Sequence, residues 1–333
     1  MTAAFISRIL NVPEKWVQPL ALDQWHDVEG AQVALVDANH CPGAVQLLFR
    51  LRDGRRFVHT GDMRYCTAFQ GHPMLRDMAG CDCLYLDTTY CRPKHTFPPQ
   101  EDSIAYVVDV ARKELAAEGQ QEAPGEPSAP QKGRWRTLIL VATYGIGKER
   151  ILTALRASLG HRIYARDDKL AKMAALGLPE LAPAELFTDD AAATPVHVVP
   201  WGLPGETWPY FRPNFAGLEE YRERMGAERV VGIVPTGWTY EMKRSPFSHR
   251  DKGPGCSVHL VPYSEHSSFD ELREYVRFLR PSKARNGGRV LVRCCWVDRL
   301  VHPSAAGGPN GWRAGPEEPG GHAAPLCPAH GPD

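Results

Sequence analysis

Apolar and polar positions fall into two patterns along this chain. AQVALVD (31–37) is a β-rich run that ends in the loop ANHCPGA, where Pro42 and Gly43 break the strand. VQLLFRLRDGRRFVHTGD (45–62) carries two apolar runs joined by Asp53-Gly54, a pair that predicts a β-hairpin. LYLDTTY (84–90) predicts a further buried strand with polar residues at its end. EDSIAYVVDVARKELAAEG (101–119) has apolar residues at helical spacing. TLILVATYGIGKERILTALRASLG (137–160) predicts a strand, a glycine-containing turn and a helix. HRIYA, VHVVP and RVVGIVPTGW predict strands, DDKLAKMAALG a helix, and Asp270 to Leu279 a short helix. Strands and helices in alternation predict an α/β layered fold.

Composition interrupts the pattern twice. Residues 118–134, EGQQEAPGEPSAPQKGR, are too rich in Pro, Gly, Glu and Gln to bury a core and predict a disordered surface insertion. The stretch 282–333 lacks periodicity, is crowded with Gly and Pro, and predicts a disordered tail. The length of 333 residues suits one large α/β domain or two medium ones. Lys and Arg together number 39, as do Asp and Glu, so a DNA-binding face must be a local patch. No apolar run is long enough for a membrane span, and the N-terminus lacks the basic region of a secretory signal. Nine cysteines without framework spacing are expected to stay reduced in the cytosol or nucleus.

Three residues stand where a strand hands over to a loop: His40 in VDANHCPGAV, Asp62 in FVHTGDMRY and His266 in VPYSEHSSFDE. Imidazole and carboxylate suit Zn²⁺, and a carboxylate can bridge two metals. A histidine beside Pro and Gly is also an ordinary turn residue, and His59 is a rival ligand. Asp87 by itself reads as a helix N-cap or turn carboxylate. Trp238 could stack on a base, although packing under a loop is the favoured alternative. Lys243, Arg244, His249, Arg250 and Lys252 form a basic cluster in an expected loop, either solvated or tracking a DNA backbone. Cys81-Asp82-Cys83 and Cys294-Cys295 lack the C-x-x-C spacing of a soft-metal site.

The long strings VALVDANHCPGAVQLLFRLRDGRRFVHTGDMRY, CLYLDTTYC, ATYGIGKERI, IVPTGWTY and VPYSEHSSFDEL occur in that order. They resemble the DNA cross-link repair nucleases of the metallo-β-lactamase/β-CASP superfamily, the Artemis and Apollo group, over roughly residues 5–281, and are most similar to the interstrand cross-link repair exonucleases of that group. The resemblance implies an αββα metallo-β-lactamase sandwich, N-terminally incomplete here, with an inserted β-CASP α/β domain. It divides the chain into a partial metallo-β-lactamase region (1–90), a β-CASP region (91–245), a return to the first region (246–281) and the tail (282–333). It implies metal ligands at His40, Asp62 and His266, and catalytic roles for Asp62, Asp87 and His266.

The same resemblance implies a 5′→3′ DNA exonuclease that uses one or two Zn²⁺ ions in the nucleus. Tyr144, Gly147 and Lys148, at a strand-to-helix turn, are then expected to receive a DNA phosphate, the terminal 5′-phosphate being one candidate, on backbone N–H groups. An ordinary turn with a solvent-facing Lys148 is the alternative. The family's H-x-H-x-D-H ligand string does not occur in the sequence, and both ends of the family domain are expected to be missing. A catalytically inactive fragment or nucleic-acid-binding module is therefore the alternative function, with weak or absent zinc.

Overall fold

The structure, a computed structural model, describes residues 2–116, 135–177, 182–207, 211–238, 247–286 and 289–292. The insertion expected at 118–134, Lys243, Arg244, Cys294, Cys295 and most of the tail lie outside the described residues. Helix α1 (Thr2–Arg8) precedes β1 (Trp25–Val28), β2 (Ala31–Asp37), β3 (Val45–Arg50) and β4 (Arg56–His59), an antiparallel meander. The Asp53-Gly54 hairpin forms between β3 and β4, with Arg50 paired to Arg56 and Gly54 at φ 84°. After α2 (Pro73–Asp77), β5 (Cys83–Tyr85) joins parallel to β4.

The chain then builds a second sheet. Its elements are α3 (Gln100–Ala116), β6 (Thr137–Thr143), α4 (Glu149–Leu159), β7 (Ile163–Tyr164), α5 (Asp167–Leu176), α6 (Pro183–Leu186), β8 (Phe187–Thr188) and β9 (Val196–Pro200). A small ribbon of β10 (Gly205–Glu206) and β11 (Arg212–Pro213) leads to α7 (Phe215–Met225), β12 (Arg229–Thr236), β13 (Ser248–Lys252) and β14 (Cys256–Pro262). The strand order is β13-β14-β12-β6-β9-β7-β8, and every pairing is parallel except β13 with β14. Both faces are buried, which explains the unbroken apolar runs. Ile139 and Val141 point into a core with Ile151 and Leu155 of α4 and Met173 of α5. Leu138 and Leu140 point into a second core with Leu218 and Tyr221 of α7. Burying one such leucine stabilises the fold by about 1.5–3 kcal/mol.

Helix α8 (Phe269–Leu279), β15 (Ala284–Asn286) and β16 (Arg289–Val292) return to the first sheet, whose order is β1-β2-β3-β4-β5-β15-β16. Leu272, Tyr275, Val276 and Leu279 of α8 pack with Leu75 of α2 over Ala34, Val36, Leu48, Val58 and Leu84 of the sheet. The buried Tyr275 hydroxyl donates to Gln46 Oε1. Among the described residues no helix is long and apolar enough to cross a membrane.

Three expectations are corrected. The return to the first region does not begin at 246, because β14 pairs with β12 from Val230↔Cys256 to Thr236↔Pro262 and its side chains feed both cores of the second sheet. His249, Arg250 and Lys252 lie on the edge strand β13 rather than in a loop; charged side chains are a common guard on such an edge. Residues 284–286 and 289–292 are strands rather than unstructured tail. The reason is backbone satisfaction: the Leu84 and Leu86 N–H groups donate to the Lys283 and Arg285 carbonyls at 2.8 and 3.0 Å.

Candidate metal centre at the junction of the two sheets

β2 and β4 run in the same direction across the meander, and β5 is parallel to β4, so the carboxyl ends of all three share one edge. Loop 263–268, leaving β14 of the second sheet, is stitched to that edge. The Ser267 hydroxyl donates to the Met63 carbonyl at 2.8 Å and accepts from the Tyr65 N–H at 2.9 Å. Buried Arg64 donates to the Ser264 carbonyl at 2.9 Å and to Glu271 Oε1 at 3.0 Å. Ser268 and Glu271 form a reciprocal capping box that starts α8 at this point.

These loops bring His40, Asp62 and His266 together, with one potential ligand atom from each lying within 4.8 Å of the others. His40 Nε2 is 4.0 Å from Asp62 Oδ2, and the two imidazole rings are 4.6 Å apart between centroids. Each ring is oriented by its other nitrogen. His40 Nδ1 lies 2.8 Å from the Glu265 carbonyl, an acceptor, so it carries the proton and Nε2 faces the cluster. His266 Nδ1 lies 2.8 Å from Asp87 Oδ2. A carbonyl or carboxylate behind the ring is the usual support of a metal-ligating histidine. Asp62 is 68% exposed at its side chain and presents its carboxylate to solvent.

Asp87 is not a helix cap. Its side chain is 4% exposed and accepts from His266, from the Met63 N–H at 3.1 Å, and from the Thr89 N–H and hydroxyl at 3.0 and 2.7 Å. Burial by itself would raise its pKa, but the bonds from His266 and Thr89 hold the carboxyl at about 2. Burial by itself would lower that of His266, but the Asp87 bond and charge, with Asp62 and Glu265, hold the ring above its ordinary value. His59 stands outside the cluster: its Nδ1 accepts from the Gly61 N–H at 3.0 Å and its ring stacks on Tyr85. Gly61 has φ 57°, and a Cβ there would meet the Val45 carbonyl at 2.9 Å. This glycine lets the chain turn sharply into Asp62.

The strand-to-helix turn after β6 departs from expectation. Lys148 is buried, not solvent-facing, and adopts φ 69° as the residue before α4. Its N–H donates to Glu265 Oε1 at 2.6 Å, while the Gly147 N–H donates to the Glu149 carboxylate at 2.8 Å. The protein's own carboxylates therefore occupy the amide donors where a phosphate was expected. The Lys148 ammonium lies 3.8 Å from Glu265 Oε2 and over the rings of Tyr263, Tyr144 and Trp201. Burial lowers its pKa, opposed by the charges of Glu265 and Glu149. Tyr144 is 49% exposed and stacks on Trp201.

Trp238, 41% exposed, meets Tyr90 edge-on at 5.8 Å, and the Tyr90 ring lies 6.1 Å from that of His266. Cys81 and Cys83 are free and buried, and burial pushes the Cys81 thiol up to about 12. The functional residues that local pattern missed are Glu265 and Arg64. Their partners lie some 200 positions away, and only the adjacency of Glu265 to His266 pointed toward it.

Two imidazoles and a carboxylate are a donor set for a divalent ion. With bonds of about 2.0–2.2 Å, donors to one ion lie at most about 4.4 Å apart, and the 4.0 Å between His40 Nε2 and Asp62 Oδ2 falls within that reach.

The family described as DNA repair metallo-beta-lactamase matches residues 182–285. DNA ligase 6 of Arabidopsis thaliana is 43% identical over 286 residues, 85% of this chain and 19% of the ligase. DNA cross-link repair protein SNM1 of the same plant is 37% identical over 310 residues, 90% of this chain and 59% of its own length. Human DNA cross-link repair 1A protein is 33% identical over 288 residues, 85% of this chain and 25% of its own length. The chain spans less than two thirds of each of these relatives. The matched family implies metal ions, and the two-sheet α/β architecture agrees with the metallo-β-lactamase/β-CASP fold. Residues 182–285 thus carry the DNA repair metallo-β-lactamase match, and most of the chain is similar to the DNA cross-link repair proteins.

Proposed function

We propose that this chain carries the catalytic region of a metal-dependent 5′→3′ DNA exonuclease. It hydrolyses phosphodiesters during interstrand cross-link repair in the nucleus, with Zn²⁺ as its ion and a 5′-phosphorylated DNA end as substrate. The observation that carries this reading is the convergence of His40, Asp62 and His266 from two sheets, with both histidines backed through Nδ1.

A bound divalent ion would supply acidification of water toward neutrality and neutralisation of charge on the phosphoryl oxygens. The remaining work belongs to the side chains. His40, His266 and the exposed carboxylate of Asp62 would hold the ion. Asp87 keeps the His266 ring in one tautomer, and the Glu265 carbonyl does the same for His40. Trp238, half-exposed and edge-on to the buried Tyr90 that adjoins His266, offers ring surface to a base.

The test is digestion of 5′-phosphorylated and 5′-hydroxyl oligonucleotides by zinc-loaded protein, with product length as the readout. Shortening from the 5′ end, faster with the phosphate and abolished by Asp62→Asn, is the expected result. Zinc-loaded protein that binds the oligonucleotide and leaves it intact overturns the reading. A second reading, a nucleic-acid-binding module without cleavage, is favoured by the absence of an H-x-H-x-D-H string and by a described set of only three donors.

A further inference from the structure

We propose that the crevice between the carboxyl ends of β6 and β9 binds a nucleoside phosphate unit, either a nucleotide of a bound DNA strand or a released mononucleotide. The proposal rests on the reading of DNA as substrate, and it adds a site separate from the metal cluster. The first argument is topological. β6 and β9 are neighbours in the sheet, but the chain leaves β6 for α4 on one face and leaves β9 for α7 on the other. Connections that diverge to opposite faces open a crevice between two parallel strands, and open α/β sheets bind ligands at that point.

The second argument is the lining. A cavity of about 240 Å³ lies there, walled by Tyr144, Trp201, Arg166, Asp168, Lys169 and Lys172. Three cations face one carboxylate in that wall. Lys169 is engaged with Glu149 at 3.1 Å, and Arg166 lies 3.4 Å from Asp168, which leaves Lys172 as the cation best placed for an anion. Gly145 gives Lys172 its room, because a Cβ at that position would stand 2.8 Å from Lys172 Nζ. The volume falls below the ~300 Å³ lower end of ordinary ligand pockets, so it suits a sugar phosphate with the base outside. That base meets a prepared surface: the half-exposed Tyr144 ring, stacked on Trp201 at 4.7 Å and 18°. Aromatic stacking accepts any base.

The third argument is proximity. Lys148, four residues after Tyr144, is held by Glu265, whose carbonyl holds His40. Hydrogen bonds through Glu265 thus link the turn that carries Tyr144 to His40 of the metal cluster.

The experiment titrates a 5′-phosphorylated single-stranded decamer and, separately, deoxyadenosine monophosphate into the full chain with EDTA present, so that cleavage plays no part. Lys172→Ala is expected to weaken decamer binding about tenfold and to reduce the salt dependence by about one released counterion. Tyr144→Ala is expected to weaken it by about 5- to 100-fold without changing that salt dependence. Both side chains are at least partly exposed, and an unchanged unfolding midpoint confirms an intact fold. Mononucleotide binding with the same dependence on both residues assigns the crevice to free product as well as strand; decamer binding alone assigns it to the strand. Affinities within twofold of wild type for both variants and both probes overturn the proposal. Cleavage by zinc-loaded wild type, measured beside these titrations, separates the two readings. Should wild type fail to cleave while Lys172→Ala still weakens binding, the nuclease reading falls and the crevice stands. Should wild type cleave while both variants bind normally, the crevice falls and the nuclease reading stands.

Discussion

The first sheet is mixed, an antiparallel β1–β4 meander extended by parallel β5 and packed against α2 and α8, whereas the second is parallel except at its β13 edge and buried on both faces. The first contributes His40, Asp62 and the supporting Asp87, all at loop positions set by strand direction. The second contributes one ring, His266, together with a buried set of charges around Lys148 and Glu265. The first sheet thus holds most of the donors, while the second fixes their orientation, since the Glu265 carbonyl sets His40 and the 263–268 loop carries His266. Neither sheet alone makes a site.

The largest expected effect tests that division. Asp62→Asn and His266→Ala are each expected to lower exonuclease activity by more than about 100-fold and to remove bound zinc. Asp87→Asn keeps every ligand but loses the charged acceptor behind His266, and is expected to cost about 10–100-fold in metal affinity. Zinc titration against a competing chelator measures both. If removing His266 left zinc affinity intact, the second sheet would be a spectator of the metal.

The second effect concerns the buried charges. Lys148→Met leaves Glu265 buried and without its cation, and is expected to destabilise the fold by about 3–5 kcal/mol in urea unfolding. Pairing it with Glu265→Gln is expected to recover much of that loss, since a neutral pair costs less to bury. Additive losses in the double variant would show that the two residues do not act as a pair.

The contrast also explains what the sequence revealed. The second sheet was legible as strands because burial on both faces writes uninterrupted runs such as TLILVAT and RVVGIV. The Asp53-Gly54 hairpin was legible because its conformation is local. The assignment of β14 was not, because VHLVP would suit a strand of either sheet and only its pairing with β12 decides. The three donors were visible locally as isolated residues and their convergence only through the family resemblance, since His40 and Glu265 are 225 positions apart. The turn at Lys148 looked like an open anion site because nothing local tells that Glu265 reaches its N–H.

A smaller effect comes from the edge of the second sheet. His259 is buried on β14, 2.9 Å from the Tyr106 hydroxyl and stacked on its register partner His249. Burial, then the neighbouring His249, pushes its pKa down to about 4 from 6.5. Between those values the unfolded chain binds the proton and the folded chain does not. The group's contribution is therefore fully present above pH 6.5 and is lost as pH falls toward 4, reaching about 3 kcal/mol. Urea midpoints of wild type and His259→Gln from pH 7 to 4.5 measure this, with a shallower decline expected in the variant. Parallel curves would remove His259 as a source of acid sensitivity in the second sheet.

The smallest effect lies at the joint between the sheets. Ser268 accepts from the Glu271 N–H while Glu271 accepts from the Ser268 N–H, and the same Glu271 binds Arg64 of the first sheet. Ser268→Ala removes one half of the box and is expected to cost about 1 kcal/mol of stability. Glu271→Ala removes the other half and also leaves buried Arg64 with only its carbonyl partner, so it is expected to cost more. The informative readout is activity, not stability. Because His266 lies two residues before the cap, loosening the start of α8 is expected to reduce turnover by a few fold at temperatures where the fold is intact. A loss of stability with unchanged turnover would mean that the Ser267–Met63 bonds hold the His266 loop without help from the helix.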